Sequence, residues 1–335
     1  MNFFNNHTKL FVAATALFCL LMLFVAIFPA LNNQNDNAPL PNSVALTNEE
    51  FEGKKVYISE GCVGCHSQQV RNVEMDKVWG DRPNIAADYA RSVRTSFLQN
   101  TATLMGTERT GPDLTNIGIR QASIDWHLLH LYNPRAVVKE SIMPAHPWLF
   151  EVKENPAEKD VIVNVPADFM NGKNGKVVAS EKVLNLVAYL LSLKQVELPD
   201  GSQPEFLYKK PPKAKGESSE EEGLDGEALY AANCQSCHQP NGEGLKGAFP
   251  PLKGSAIVLD DNAQTMLEII MIGYNAREEY GVMPAVGKNN KLTAEEVTAI
   301  MNHERTSWGN NGRKVTLEEI KKYMQQLNAS TPVAQ

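Results

Sequence analysis

Two short motifs constrain this chain more than any other feature: Cys62-Val63-Gly64-Cys65-His66 and Cys234-Gln235-Ser236-Cys237-His238. In each, two thiols stand three positions apart, within one helical turn, and an imidazole follows at once. Thiols so spaced can reach the two vinyl groups of one porphyrin and form thioether bonds, while the adjacent histidine projects to the iron. The motifs predict two covalently bound haem c groups, attached through Cys62, Cys65, Cys234 and Cys237, with His66 and His238 as axial ligands. A zinc site would need four ligands together, and roughly 170 residues separate the pairs. A thioredoxin-like pair gives no reason for a histidine after both copies. The remaining cysteine, Cys19, lies in an apolar run and reads as a packing residue.

A six-coordinate electron-transfer haem needs a second ligand, and thioether sulfur raises its reduction potential relative to a second imidazole. Met143, in Ser141-Ile142-Met143-Pro144, and Met283, in Gly281-Val282-Met283-Pro284, each lie in a loop downstream of one motif. The proline after each restricts the backbone and helps hold the sulfur in place. Both are predicted axial ligands. Met75, Met105 and His146 are alternatives for the first haem, and Met271 for the second.

A ligand histidine is oriented by an acceptor for its other ring proton. Pro112, in Gly111-Pro112-Asp113-Leu114, and Pro250, in Phe249-Pro250-Pro251-Leu252, offer carbonyls in turns where proline blocks regular pairing. Arg120 is placed to neutralise a haem propionate. His127 and His130 fall on one helical face and read as packing or hydrogen-bonding groups, with metal or propionate contact as alternatives. The chain shows no nucleophile constellation or proton-transfer dyad, so no catalytic residue is assigned.

Residues 10–31 form an apolar stretch softened only by Thr15 and Pro29. At 1.5 Å per residue it spans roughly 33 Å, enough for a bilayer core, whereas a cleaved signal has an apolar core of only about 7 to 15 residues. Lys9 and the N-terminus flank one side and Asn-rich sequence the other. The positive side tends to stay in the cytoplasm, so the body of the chain is expected outside it, anchored in a bacterial inner membrane. The net charge of -7 argues against nucleic acid, and permits docking of a basic protein.

The chain divides accordingly. Residues 1–8 form a cytoplasmic tip, 9–31 the transmembrane anchor and 32–47 an Asn- and Pro-rich tether. Residues 48–196 form a first domain, 197–224 a Pro- and Glu-rich linker and 225–335 a second domain. Helices are expected from Thr47 toward the first cysteine pair, over about 181–194, into Cys234, from Thr293, and over 316–327. A long stretch between the first two reads as mostly loop. The predicted fold is mostly α: one membrane helix, then two small domains each built around a haem.

Residues 61–71, Gly-Cys-Val-Gly-Cys-His-Ser-Gln-Gln-Val-Arg, resemble subunit II of cbb3-type cytochrome c oxidases, the membrane-bound mono-haem c subunit. Thr110-Gly111-Pro112-Asp113-Leu114, Asp125-Trp126-His127, Asn133-Pro134-Arg135 and Met143-Pro144 with Pro147-Trp148 match that family in the same order. The resemblance covers about residues 10–195. It implies haem attachment at Cys62, Cys65 and His66, the ligand Met143, and electron delivery to a catalytic haem-copper subunit. The turn at Pro112 with Arg120 is also similar to class I cytochromes c, in which that carbonyl holds the histidine and that arginine meets a propionate. Gly242-x-Gly244, Phe249-Pro250-Pro251-Leu252 and Ser307-Trp308-Gly309-Asn310 look like a generic class I cytochrome c. Two departures stand out: residues 78–104 differ from the usual subunit II, and that subunit lacks the C-terminal domain. The implied function is a di-haem electron-transfer subunit fed by a cytochrome c or a quinol-oxidising complex. A subunit of a nitric oxide reductase-like enzyme and a stand-alone anchored carrier are the alternatives.

Overall fold

The computed structural model describes residues 3–36, 44–89, 104–170, 172, 174–198, 204–208, 224–275 and 279–330. The middle of the expected tether, most of the expected linker with its acidic run, and residues 90–103 of the unusual stretch lie outside them.

The chain opens on helix α1, whose apolar span runs His7–Asn33 with none of its most apolar window buried. It is long and apolar enough to cross a membrane, as the hydropathy predicts. Leu23–Ile27 is wound as a π-helix. Pro29 lies just beyond, and its ring would clash with the carbonyl of Val25 in a regular α-helix. The wider turn falls where that clash would arise, and the helix continues through the proline.

The first domain is built on two crossed helices, α2 (Asn48–Ser59) and α4 (Glu181–Ser192); α3 (Ile124–Tyr132) packs beside them. Thr47 starts α2 with a reciprocal capping box to Glu50. At the crossing, a Cβ on Gly53 would lie 1.9 Å from the Asn185 carbonyl oxygen, so only glycine permits this approach. Val183, Leu186 and Val187 of α4 bury against Tyr57, Leu128 and Leu129.

Between α3 and α4 the structure differs from the expected loops. Strands β1 (Phe150–Lys153), β2 (Ile162–Val163) and β3 (Lys176–Ala179) form an antiparallel sheet in the order β1-β3-β2. The strands are too short for alternation to stand out, and Val177, Val178 and Ala179 are all buried, which hides the period of two. Residues 204–208 return to this domain: Val73 bridges Tyr208, and Phe206 is buried.

The second domain repeats the plan. Helix α5 (Gly226–Asn233) crosses α7 (Ala294–Thr306), with Gly226 at the contact, where a Cβ would lie 2.4 Å from the Ala299 carbonyl oxygen. Helices α6 (Gln264–Ile272) and α8 (Leu317–Ser330) complete it around Leu267, Val297, Ile300 and Ile320. Gly53→Ala should force α2 and α4 apart and cost about 1–3 kcal/mol, read as a lower denaturation midpoint by circular dichroism. An unchanged midpoint would mean that the helices do not cross this closely.

Candidate functional site

Each cysteine motif follows its domain's first helix. Tyr57 and Tyr230, both buried, lie on α2 and α5 and point their hydroxyls at the chain just beyond. Tyr57 donates to the His66 carbonyl at 3.4 Å and Tyr230 to the Gln239 carbonyl at 2.6 Å. Cys62, Cys234 and Cys237 are held as thiols. Burial pushes Cys62 and Cys237 up to about 11, and Cys234 well above its ordinary value. That disfavours a thiolate metal site or a reactive redox pair. Among the described residues no group of three or more His, Cys, Asp or Glu side chains is placed to hold a metal ion.

His66 Nδ1 lies 2.8 Å from the Pro112 carbonyl oxygen, and His238 Nδ1 lies 2.9 Å from that of Pro250. A carbonyl can only accept, so each Nδ1 carries the proton and each Nε2 keeps a free lone pair. Burial lowers the pKa of both imidazoles, which favours the neutral form a metal requires. Gly111 makes room for the first ring: a Cβ there would come within 2.2 Å of His66 Cε1.

Cys62, Cys65, His66, Arg120 and Met143 line one cavity of about 760 Å3. That is the size of a cofactor site. His146 also lines it; Met75 and Met105 do not. Three buried polar atoms in its walls, Arg120 Nε, His130 Nδ1 and His146 Nδ1, have no hydrogen-bond partner among the described residues. Buried polar atoms are ordinarily satisfied, so the Arg120 N–H suits a bound group carrying acceptors, such as a propionate. Arg120 is steadied by a bond from Nη2 to the Asp113 carbonyl at 2.6 Å.

Cys234, Cys237, His238, Pro250 and Met283 line a second cavity. It encloses about 120 Å3 and shares part of its wall with the first cavity. Met271 does not line it, while Met266, not anticipated, does. Met283 is tied at both backbone atoms to Tyr274: its N–H donates to the Tyr274 carbonyl at 3.0 Å and its carbonyl accepts from Tyr274 N–H at 2.9 Å. Glu304, buried in the wall, is raised to about 8 by desolvation and is mostly protonated at neutral pH. In both clefts an imidazole and a thioether sulfur form a soft donor set that fits haem iron.

A family model described as "Cytochrome C oxidase, mono-heme subunit/FixO" matches residues 2–175. The chain belongs to this family. A second model, "Cytochrome C oxidase, cbb3-type, subunit III", matches residues 221–303. This FixO-family chain is also 34% identical, over 113 residues, to cytochrome c-552 of Thermus thermophilus. That match covers 29% of the chain and 82% of the relative. It is 32% identical over 95 residues to the cytochrome c subunit of a quinone alcohol dehydrogenase from Gluconobacter oxydans, covering 27% of the chain and 20% of that protein. The chain is thus a cytochrome c electron-transfer subunit with cbb3-type domains, and such domains hold covalently bound haem c. The family implies a complex with a catalytic haem-copper subunit, and the apolar α1 fits a membrane anchor.

Sequence reasoning missed the network that sets the Pro112 turn. Asp113, fully buried, accepts from Ser67 Oγ at 2.6 Å, Gln69 N at 2.7 Å and Thr115 N at 2.8 Å. Arg109 donates to Ser67 Oγ and to the Gln69 carbonyl and pairs with Asp76 at 2.8 Å. The signal was present in Arg109, Asp113 and Ser67-Gln68-Gln69, but their meeting depends on the fold. His127, expected to pack or to hydrogen-bond, places Nε2 2.8 Å from the Gln121 carbonyl oxygen. His130 stacks on Trp126, with ring centroids 4.4 Å apart. Asp113→Ala would orphan three donors, two of them buried, and remove the carboxylate beside Arg109. It should cost about 3–5 kcal/mol in denaturant unfolding, and a loss below about 1 kcal/mol, the level of a surface pair, would contradict this.

Proposed function

We propose that the chain is a di-haem electron-transfer subunit of a cbb3-like oxidase, passing electrons to a catalytic subunit that reduces oxygen. The observation that carries it is the repetition in one chain of the same ligand cradle: two Cys-x-x-Cys-His motifs, each with its imidazole on a proline carbonyl at 2.8 and 2.9 Å.

When bound, each haem iron supplies a one-electron couple. The chain's residues do the rest. Cys62 and Cys65, and Cys234 and Cys237, bind the porphyrins. His66 with Met143, and His238 with Met283, ligate the irons. Pro112 and Pro250 orient the imidazoles, and Arg120 meets a propionate. Both cysteine motifs follow the apolar span in the sequence while Lys9 precedes it, which supports an extracytoplasmic location with the N-terminus in the cytoplasm. Electrons enter at the second domain, from a cytochrome c or a quinol-oxidising complex, and leave through the first, which is joined to the anchor. The order fails if removing the first haem abolishes reduction of the second.

Two tests follow. The intact membrane complex, purified through this chain, should contain high-spin b haem and copper beside two c haems per copy. Non-haem iron in place of copper would favour a nitric oxide reductase-like enzyme, and a chain isolated without partners would favour a stand-alone carrier. Met143→His should lower the potential of the first haem, since imidazole in place of thioether disfavours reduction. A redox titration with an unchanged potential would remove Met143 from the ligand set.

A further inference from the structure

The methionine-bearing loop of the second domain presents three consecutive backbone N–H groups. Gly281 donates to the Ala248 carbonyl at 2.9 Å and Met283 to the Tyr274 carbonyl at 3.0 Å, both within the domain. The middle one leaves it: Val282 N–H donates to Oδ2 of Asp125, on α3 of the first domain, at 3.0 Å. A Cβ on Gly281 would come within 2.7 Å of the same oxygen, so the carboxylate lies directly on this loop. Val282 is 46% exposed, so burial does little to hold the residue and its amide is what is held.

The same part of the first domain also grips the attachment loop on the other side of the cleft. Trp126 Nε1 donates to the Ser236 carbonyl at 3.0 Å, and Gln121 Nε2 to Ser236 Oγ at 3.0 Å. Gln121, Arg120, Asn233, Ser236 and Asn290 each line both cavities. The second cleft is therefore completed by the first domain at both of its rims.

We infer that Asp125 of the first domain is a positioning residue for Met283 of the second, fixing the loop that carries the sulfur through the neighbouring Val282 amide. This rests on the reading of Met283 as an axial ligand. A bond from an amide to an ionised carboxylate is stronger than one to a neutral acceptor. Without it the loop keeps its internal bonds, that of Gly281 to Ala248 on one side of the freed amide and the pair between Met283 and Tyr274 on the other. The coupling runs across the domain boundary, so the ligand set of one haem depends on a residue of the other domain.

The test uses the full-length haem-loaded protein in detergent, in a Met143→His background. There the red sulfur-to-iron charge-transfer band of the oxidised protein reports Met283 alone. Adding Asp125→Ala should abolish that band, and hydrogen exchange at Val282 should accelerate about tenfold, as loss of one net hydrogen bond allows. Asp125→Asn, which keeps an oxygen acceptor, should retain the band while Val282 exchange rises by a smaller factor. Should Asp125→Ala prevent haem loading, Asp125→Asn decides the matter: Val282 exchange equal to the parent's overturns the inference. An Asp125→Ala protein with its band and exchange unchanged overturns it as well. Absence of the band in Met143→His before Asp125 is touched would instead defeat the reading of Met283 as a ligand.

Discussion

Both clefts depend on one interaction made twice, a proline carbonyl accepting the Nδ1 proton of the motif histidine, at 2.8 Å for Pro112 and 2.9 Å for Pro250. It fixes the tautomer and the ring plane, and leaves Nε2 facing the cavity. Each fold is arranged to keep that carbonyl in place. In the first domain, buried Asp113 ties the turn to Ser67 and Gln69, just after the histidine. In the second, the Gly244 N–H donates to the His238 carbonyl at 3.0 Å, and Asn310 binds the Leu252 carbonyl and the Gly254 N–H. Different residues serve the same purpose.

The two domains also share a boundary that serves both clefts. A tethered pair of carriers would need only a linker, yet here Ser236, between the second pair of cysteines, is bonded to Gln121 and Trp126. Arg120 reaches both cavities, with one guanidinium N–H still unpartnered among the described residues. An arginine in this wall adds positive charge to both clefts, and positive charge beside a haem held there would favour its reduced, less positive state. This gives the boundary an electrostatic as well as a mechanical part.

Much of this was legible in the residues. The motifs and the Met-Pro pairs marked residues now seen in the walls of the two clefts, and Thr47 and Thr293 announced helices that begin at those residues. What could not be read depends on distance in space. Asp125 looks like an ordinary acidic residue in a helix's first turn, and its bond to Val282 joins residues 157 positions apart. The three-stranded sheet was hidden because its central strand buries consecutive residues. Met266, a buried α6 residue, gave no sign that it borders the second cleft, because a methionine on a helix's apolar face reads as core.

The claim on which all of this turns is that porphyrin is bonded to all four motif cysteines. Intact mass spectrometry of the chain in denaturing solvent measures it directly, since non-covalent haem is lost there and thioether-linked haem is not. The expected mass exceeds the polypeptide's by two haems, falling to one when either cysteine pair is replaced by serine. The bare polypeptide mass, or a single haem on the natural chain, would contradict it.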